Sequence, residues 1–251
     1  MKQYIPNALT LLNLLCGSIA VLFVVNDNFV AGALFVFLGI FFDFFDGFAA
    51  RKFNVQSELG LQLDSLADVV TSGLVPGVVM YKLLELSDGT ILQSIKSSQE
   101  WTETMYWVGG KIDFFPLLGL AITLASAYRL AKFNIDTEQQ NYFKGLPTPA
   151  NALLIISLPL ILEFQDNDTI NDIILNKWFL MGITVFSCWI LNSKIKLFAL
   201  KFKNFSFKDN ATRYIFIILC MVLLIVLQFA ALPIIILLYI AMSVLDGLTS
   251  K

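Results

Sequence analysis

The chain predicts an all-α fold, a polytopic transmembrane helical bundle, on three observations. Hydrophobic residues fill 57% of its 251 positions and charged residues only 14%, whereas a soluble domain carries about 25% charged residues. The apolar residues are gathered into long unbroken runs. The basic residues between those runs fall unevenly on alternate sides, as membrane topology requires.

A membrane-crossing helix needs about 20 apolar residues, and eight stretches are candidates. The first, 8–26, follows Lys2 and Pro6. Proline suits a helix start. The opening MKQYIPNALTLLNLLCG lacks a small-x-small cleavage pattern, so a retained first helix is expected. The second and third, 29–50 and 59–83, are joined by a polar turn carrying Arg51 and Lys52. The connection 84–112 contains Trp101, Tyr106 and Trp107, rings expected at the membrane–water boundary. It leads to 114–134. Gly145, Leu146, Pro147 and Pro149 shape a turn into 148–164, and the acidic loop 165–177 leads to 178–193. These two spans are short. The basic, aromatic stretch 194–213 precedes 212–230 and 232–247, which are separated only around Ala231–Pro233. The expected organisation is a six-helix core over 1–193, a basic connector over 194–211 and a C-terminal helix pair over 212–251. Two readings of the basic stretch stand side by side: contact with anionic lipid head groups, or a flank that fixes topology.

The distribution of basic residues agrees with this count. With the N-terminus in the cytosol, thirteen Lys and Arg side chains are cytosolic and four, Lys82, Lys96, Lys111 and Lys177, are external. Such an excess is the cytosolic signature. Nothing in the chain points to nucleic acid. There is no histidine, which removes the commonest general base and leaves carboxylates, Lys, Tyr or Cys for acid–base work. Cys16, Cys188 and Cys220 lie in apolar runs, far apart, and read as small hydrophobes.

The chemistry is concentrated in DFFDGFAARKFNVQSELGLQLDSLAD, residues 43–68. Asp43 and Asp46 are spaced i, i+3, and Asp64 and Asp68 i, i+4, so each pair lies on one helix face. A carboxylate at mid-membrane costs roughly 2.5–3.5 kcal/mol on the insertion scale, so four approach about 10 kcal/mol. One arginine does not offset four acids. A divalent cation held by all four does, and an all-oxygen ligand set favours Mg²⁺ or Mn²⁺.

The same stretch, written Asp43-x2-Asp46-Gly47-x2-Ala50-Arg51-x8-Gly60-x3-Asp64-x3-Asp68, resembles the signature of the CDP-alcohol phosphatidyltransferase family at all eight positions. PNALTLLNLLCG, YRLAKFN at 128–134 and YFKGLPTPAN at 142–151 are similar to the integral-membrane bacterial phosphatidylserine synthases within it. The resemblance covers the first six spans. It implies that Asp43, Asp46, Asp64 and Asp68 are metal ligands, and that two ions are expected. It implies that Asp68 is also the general base on the incoming hydroxyl. Gly47, Ala50, Arg51, Ser57 and Gly60, with Asn7 and Thr10 from the first span, are then expected to contact CDP-diacylglycerol. Arg129 is expected to meet the carboxylate of L-serine or a lipid phosphate. A homodimer in the bacterial inner membrane, with its site facing the cytosol, is the implied setting. Two alternatives remain open: the same chemistry with glycerol 3-phosphate or an inositol-type acceptor, and a cation transporter, since intramembrane acids often line ion pathways.

Overall fold

The computed structural model describes residues 4–87, 114–135, 142–165, 167–198 and 207–249. Among them the order is α1 (Tyr4–Val25), α2 (Phe29–Phe53), α3 (Glu58–Asp68), a π-helical segment (Val69–Leu74) and α4 (Val75–Ser87). A 3-10 turn (Pro116–Leu120) leads into α5 (Ala121–Ile135), followed by β1 (Tyr142–Lys144), α6 (Thr148–Phe164), α7 (Asp168–Ile174), α8 (Lys177–Leu191) and β2 (Lys196–Phe198). The chain ends in α9 (Phe207–Leu227), a 3-10 turn (Gln228–Ala230) and α10 (Ala231–Thr249). The protein is an all-α, multi-pass helical bundle. Trp101, Tyr106 and Trp107, and residues 199–206 of the basic connector, lie outside the described residues.

Each of the eight expected spans falls on helix, but not all are full-length. Tyr4–Val25, Phe29–Phe53, Glu58–Ser87 and Arg213–Leu245 are long and apolar enough to cross a membrane, and α7 with α8, bent by 59°, would make a fifth. The α6 helix has 17 residues and α5 has 15, below the usual length. Arg213–Leu245 is not one straight rod. Phe216 and Tyr239 would stand about 34 Å apart along such a helix, yet their rings are 5.6 Å apart. The chain reverses near Gln228, whose φ is 49°, so α9 and α10 lie side by side.

The α2–α3 joint positions the acids. Asn54 ends α2 in the left-handed region, φ 53°, and its N–H reaches the carbonyls of Ala50 and Arg51; asparagine tolerates that conformation better than most residues. Ser57 then caps α3, its Oγ accepting from Gly60 N at 3.0 Å. At the far end of the bundle Lys82 pairs with Asp27 and Glu85, both at 2.9 Å. The main apolar core, including Ala20, Val36, Met80, Leu83, Ile155 and Leu180, draws on the halves of α1 and α2 remote from the Asn54–Ser57 turn. Phe41, Phe44, Leu124 and Ile225 are exposed, as a lipid-facing surface requires.

The start of the basic connector holds a feature the periodicity did not predict. β2 pairs antiparallel with β1, with Tyr142 opposite Phe198 and Lys144 opposite Lys196. Leu197 is fully buried against Leu146, Leu154, Ile190 and Ile236. A three-residue ladder closed by a partner some fifty positions away leaves too short a pattern to read. Gly145 turns out of β1 with φ +73°, and a Cβ there would stand 3.0 Å from the Ile190 carbonyl oxygen. Gly145→Ala is therefore expected to destabilise by about 1–3 kcal/mol, seen as a lower thermal unfolding midpoint in detergent.

Candidate active site and metal centre

α1 packs against both α2 and α3, and the acidic side chains of those two helices converge beyond the Asn54–Ser57 turn. Carboxylate oxygens of Asp43, Asp46 and Asp64 all lie within 4.8 Å of one another. No ion pair to any of the three is found among the described residues. Three oxygen donors converging in an apolar bundle, without a paired cation, are a donor set suited to a divalent ion. Thr10 on α1 supports the group: its hydroxyl donates to Asp46 Oδ2 at 2.5 Å and also lies 3.1 Å from the Pro6 carbonyl.

Asp68 is not part of this triad. It is 9% exposed and sits one turn along α3 from Asp64, within electrostatic reach of Asp64, Asp46 and Arg129. The amide of Asn13 on α1 lies against it but falls short of hydrogen-bond geometry: neither Oδ1 nor Nδ2 of Asn13 has a partner. The Nε of Arg129, a residue only 8% exposed, is also unpartnered.

Two cavities meet at Asp64. The larger, about 450 Å³, is lined by Asn7, Thr10, Asp46, Gly47, Ala50, Arg51, Ser57, Gly60 and Asp64. It thus gathers every residue that the sequence assigned to the nucleotide lipid. A Cβ on Gly47 would stand 3.4 Å from Arg51 Nη1, and one on Gly60 3.2 Å from Ser57 Oγ and 3.3 Å from Asn7 Oδ1. The two glycines keep this wall low where Arg51, Ser57 and Asn7 converge. The smaller cavity, about 150 Å³, is bounded by Asp64, Asp68 and Arg129, with Ser65, Asn134 and Thr148 beside them. Asn134 Nδ2 donates to Ser65 Oγ at 2.8 Å, tying α5 to α3 at its edge. A narrow cleft on the other side of Arg129 brings in Lys132, Lys144, Asn192 and Ser193.

Sequence reasoning missed several of these residues. Gln56 and Glu58 line the large cavity, and their position inside the eight-residue gap of the motif could have flagged them. Asn13 and Asn134 lie in stretches already noted for their resemblance, but nothing in their spacing marked them out.

A CDP-diacylglycerol–serine O-phosphatidyltransferase of Bacillus subtilis (strain 168) is 33% identical over 156 residues, 62% of this chain and 75% of that protein. One of Helicobacter pylori (strain J99) is 28% identical over 158 residues, 62% of this chain and 57% of that protein. One of Saccharomyces cerevisiae is 32% identical over 133 residues, 49% of this chain and 39% of that protein. The match thus spans less than two thirds of the Helicobacter and yeast proteins. Residues 3–190 match the CDP-alcohol phosphatidyltransferase family, the stretch that holds both cavities' acids, and the chain belongs to that family.

Proposed function

We propose that the protein transfers the phosphatidyl group of CDP-diacylglycerol to the hydroxyl of L-serine, giving phosphatidylserine and CMP. The observation that carries this reading is the placement of Asp64. It belongs to the acidic triad and borders both a large cavity and a small one, so a nucleotide lipid and a small alcohol can meet at one carboxylate group. The names of the similar proteins support serine as the alcohol.

In this reading the large cavity takes the CDP moiety. Arg51 binds its phosphates, Ser57 and Asn7 offer polar contacts, and Gly47, Ala50 and Gly60 leave room for the nucleotide. Arg129 holds the serine carboxylate in the small cavity. Asp68 accepts the proton of the serine hydroxyl as the oxygen forms its bond to the phosphorus that carries diacylglycerol. The bond from that phosphorus to the bridging oxygen breaks, and CMP leaves with the electron pair. Asp43, Asp46 and Asp64, with Asp68 alongside, would hold Mg²⁺ or Mn²⁺, two ions in all. Such ions neutralise the pyrophosphate and the charge that develops on the leaving group.

The setting proposed is a bacterial inner membrane, with the site at the cytosolic face, and a homodimer. Residues 1–193 form the catalytic core, 194–211 the connector and 212–251 an appended helix pair. A second reading has a phosphorylated acceptor such as glycerol 3-phosphate, because Arg129, Lys132 and Lys144 surround one cleft. Purified protein given CDP-diacylglycerol, Mg²⁺ or Mn²⁺ and labelled serine, glycerol 3-phosphate or inositol separates the two. Labelled lipid is expected with serine alone, and none with chelator. Labelled lipid from glycerol 3-phosphate or inositol, with none from serine, would overturn the serine assignment.

A further inference from the structure

One face of α1 carries Asn7, Thr10 and Asn13 in successive i, i+3 steps, and each serves a different part of the site. Asn7 borders the large cavity, and Thr10 bonds Asp46. Asn13 reaches the region of Asp68. It is fully buried, with both polar atoms of its amide unpartnered. Such a group is destabilising, and an apolar side chain of similar size would suit a buried slot better.

The surroundings nevertheless accommodate this amide closely. On α2, Gly39 leaves the space: a Cβ there would stand 2.9 Å from Asn13 Oδ1. In the π-helical segment, Thr71 donates its hydroxyl to the Asn13 backbone carbonyl at 3.1 Å. Gly17, one turn along α1, lets that helix approach the Thr71 backbone, where a Cβ would meet Thr71 Cα at 2.9 Å. The π-helical segment begins at the residue after Asp68, and π turns often mark functional positions. The helix that carries Asp68 is thus docked on α1 around Asn13.

We propose that Asn13 is a positioning residue for the reaction: its Nδ2 donates to the Asp68 carboxylate in the working enzyme and holds that group toward the small cavity. Asn13 does not line either cavity among the described residues, so it acts through Asp68 and not on a substrate. The inference rests on the reading of Asp68 as the base.

Asn13→Leu, assayed as the purified full chain with CDP-diacylglycerol, serine and Mg²⁺, tests it. Its unfolding midpoint is expected at or above the wild-type value. Its KM for CDP-diacylglycerol is expected to stay within about twofold while kcat falls about ten- to a hundredfold. Placed on Asp68→Asn, the same change is expected to lower the residual kcat by less than about threefold, because the two residues act as a unit. Asn13→Ser, which is smaller, should show the same selective loss of kcat and serves where the leucine variant is not recovered folded. Wild-type kcat in these variants, or an equal loss on the Asp68→Asn background, would overturn the inference. Full turnover by Asp68→Asn itself would instead overturn the reading of the base, so the two failures are distinct.

Discussion

Asp68→Asn is expected to bind CDP-diacylglycerol normally and to lose about a thousandfold in turnover, within the range for removal of a general base. The substitution keeps the shape of the side chain but takes away its capacity to accept a proton. Asp68 stands apart from the acidic triad, beside Arg129 and the small cavity, so the contacts proposed for the nucleotide are left in place. With no histidine in the chain, no neighbouring imidazole can take over. The measurements are binding of labelled CDP-diacylglycerol and the rate of serine-dependent CMP release. Turnover within a few-fold of wild type would remove Asp68 from the role of base.

The second large effect is expected at Asp64. Asp64→Asn takes one carboxylate out of a triad whose oxygens lie within 4.8 Å of one another, at the wall common to both cavities. Activity is expected to fall by about three orders of magnitude, the upper end of what the loss of one positioned hydrogen-bond donor gives. The Mg²⁺ concentration needed for half of the remaining activity is expected to rise. In chelator, the same variant should unfold at a higher temperature than wild type, because one of three crowded like charges is gone. A metal titration of activity and a pair of melting curves, with and without chelator, check this. An unchanged Mg²⁺ requirement would remove Asp64 from the ligand set.

The two substitutions differ in what they separate. Loss of Asp68, which flanks the triad, is expected to shift the metal requirement of residual activity less than loss of Asp64, which belongs to it. The large cavity touches Asp64 but the small one touches both acids, and that asymmetry is what the pair of variants exploits.

Much of the site was legible before the fold because its residues are local. Asp43, Asp46, Gly47, Ala50 and Arg51 share one helix, and Gly60, Asp64 and Asp68 the next, with only a short turn between. Helical periodicity alone places each set on a face, and a short joint keeps the two helices neighbours in the chain. Hydropathy placed each of its eight expected stretches on helix for a similar reason, since a span must satisfy its own backbone and so reads as one continuous apolar run.

Span length and the reversal after α9 were less legible. The number of residues in α5 and α6 depends on where the chain leaves the helix, not on composition. The turn at Gln228 lies a few residues before the Ala231–Pro233 break that the sequence marks, because Pro233 is accommodated in the first turn of α10. β1 and β2 hide for another reason: each is three residues long, and the pairing joins parts of the chain that no sequence window contains.

By itself, then, the order of residues determined a helical membrane protein with two acidic helix faces and the family signature they spell, because those properties arise within one or two turns of chain. Only the tertiary structure decided that Asp64 borders two cavities, that Arg129 faces Asp68, and that Asn13 and Thr10 of α1 stand behind the acids. Those relations are set by how closely helices distant in sequence can approach, through Gly17, Gly39 and the π-helical segment, and that is a matter of packing in space.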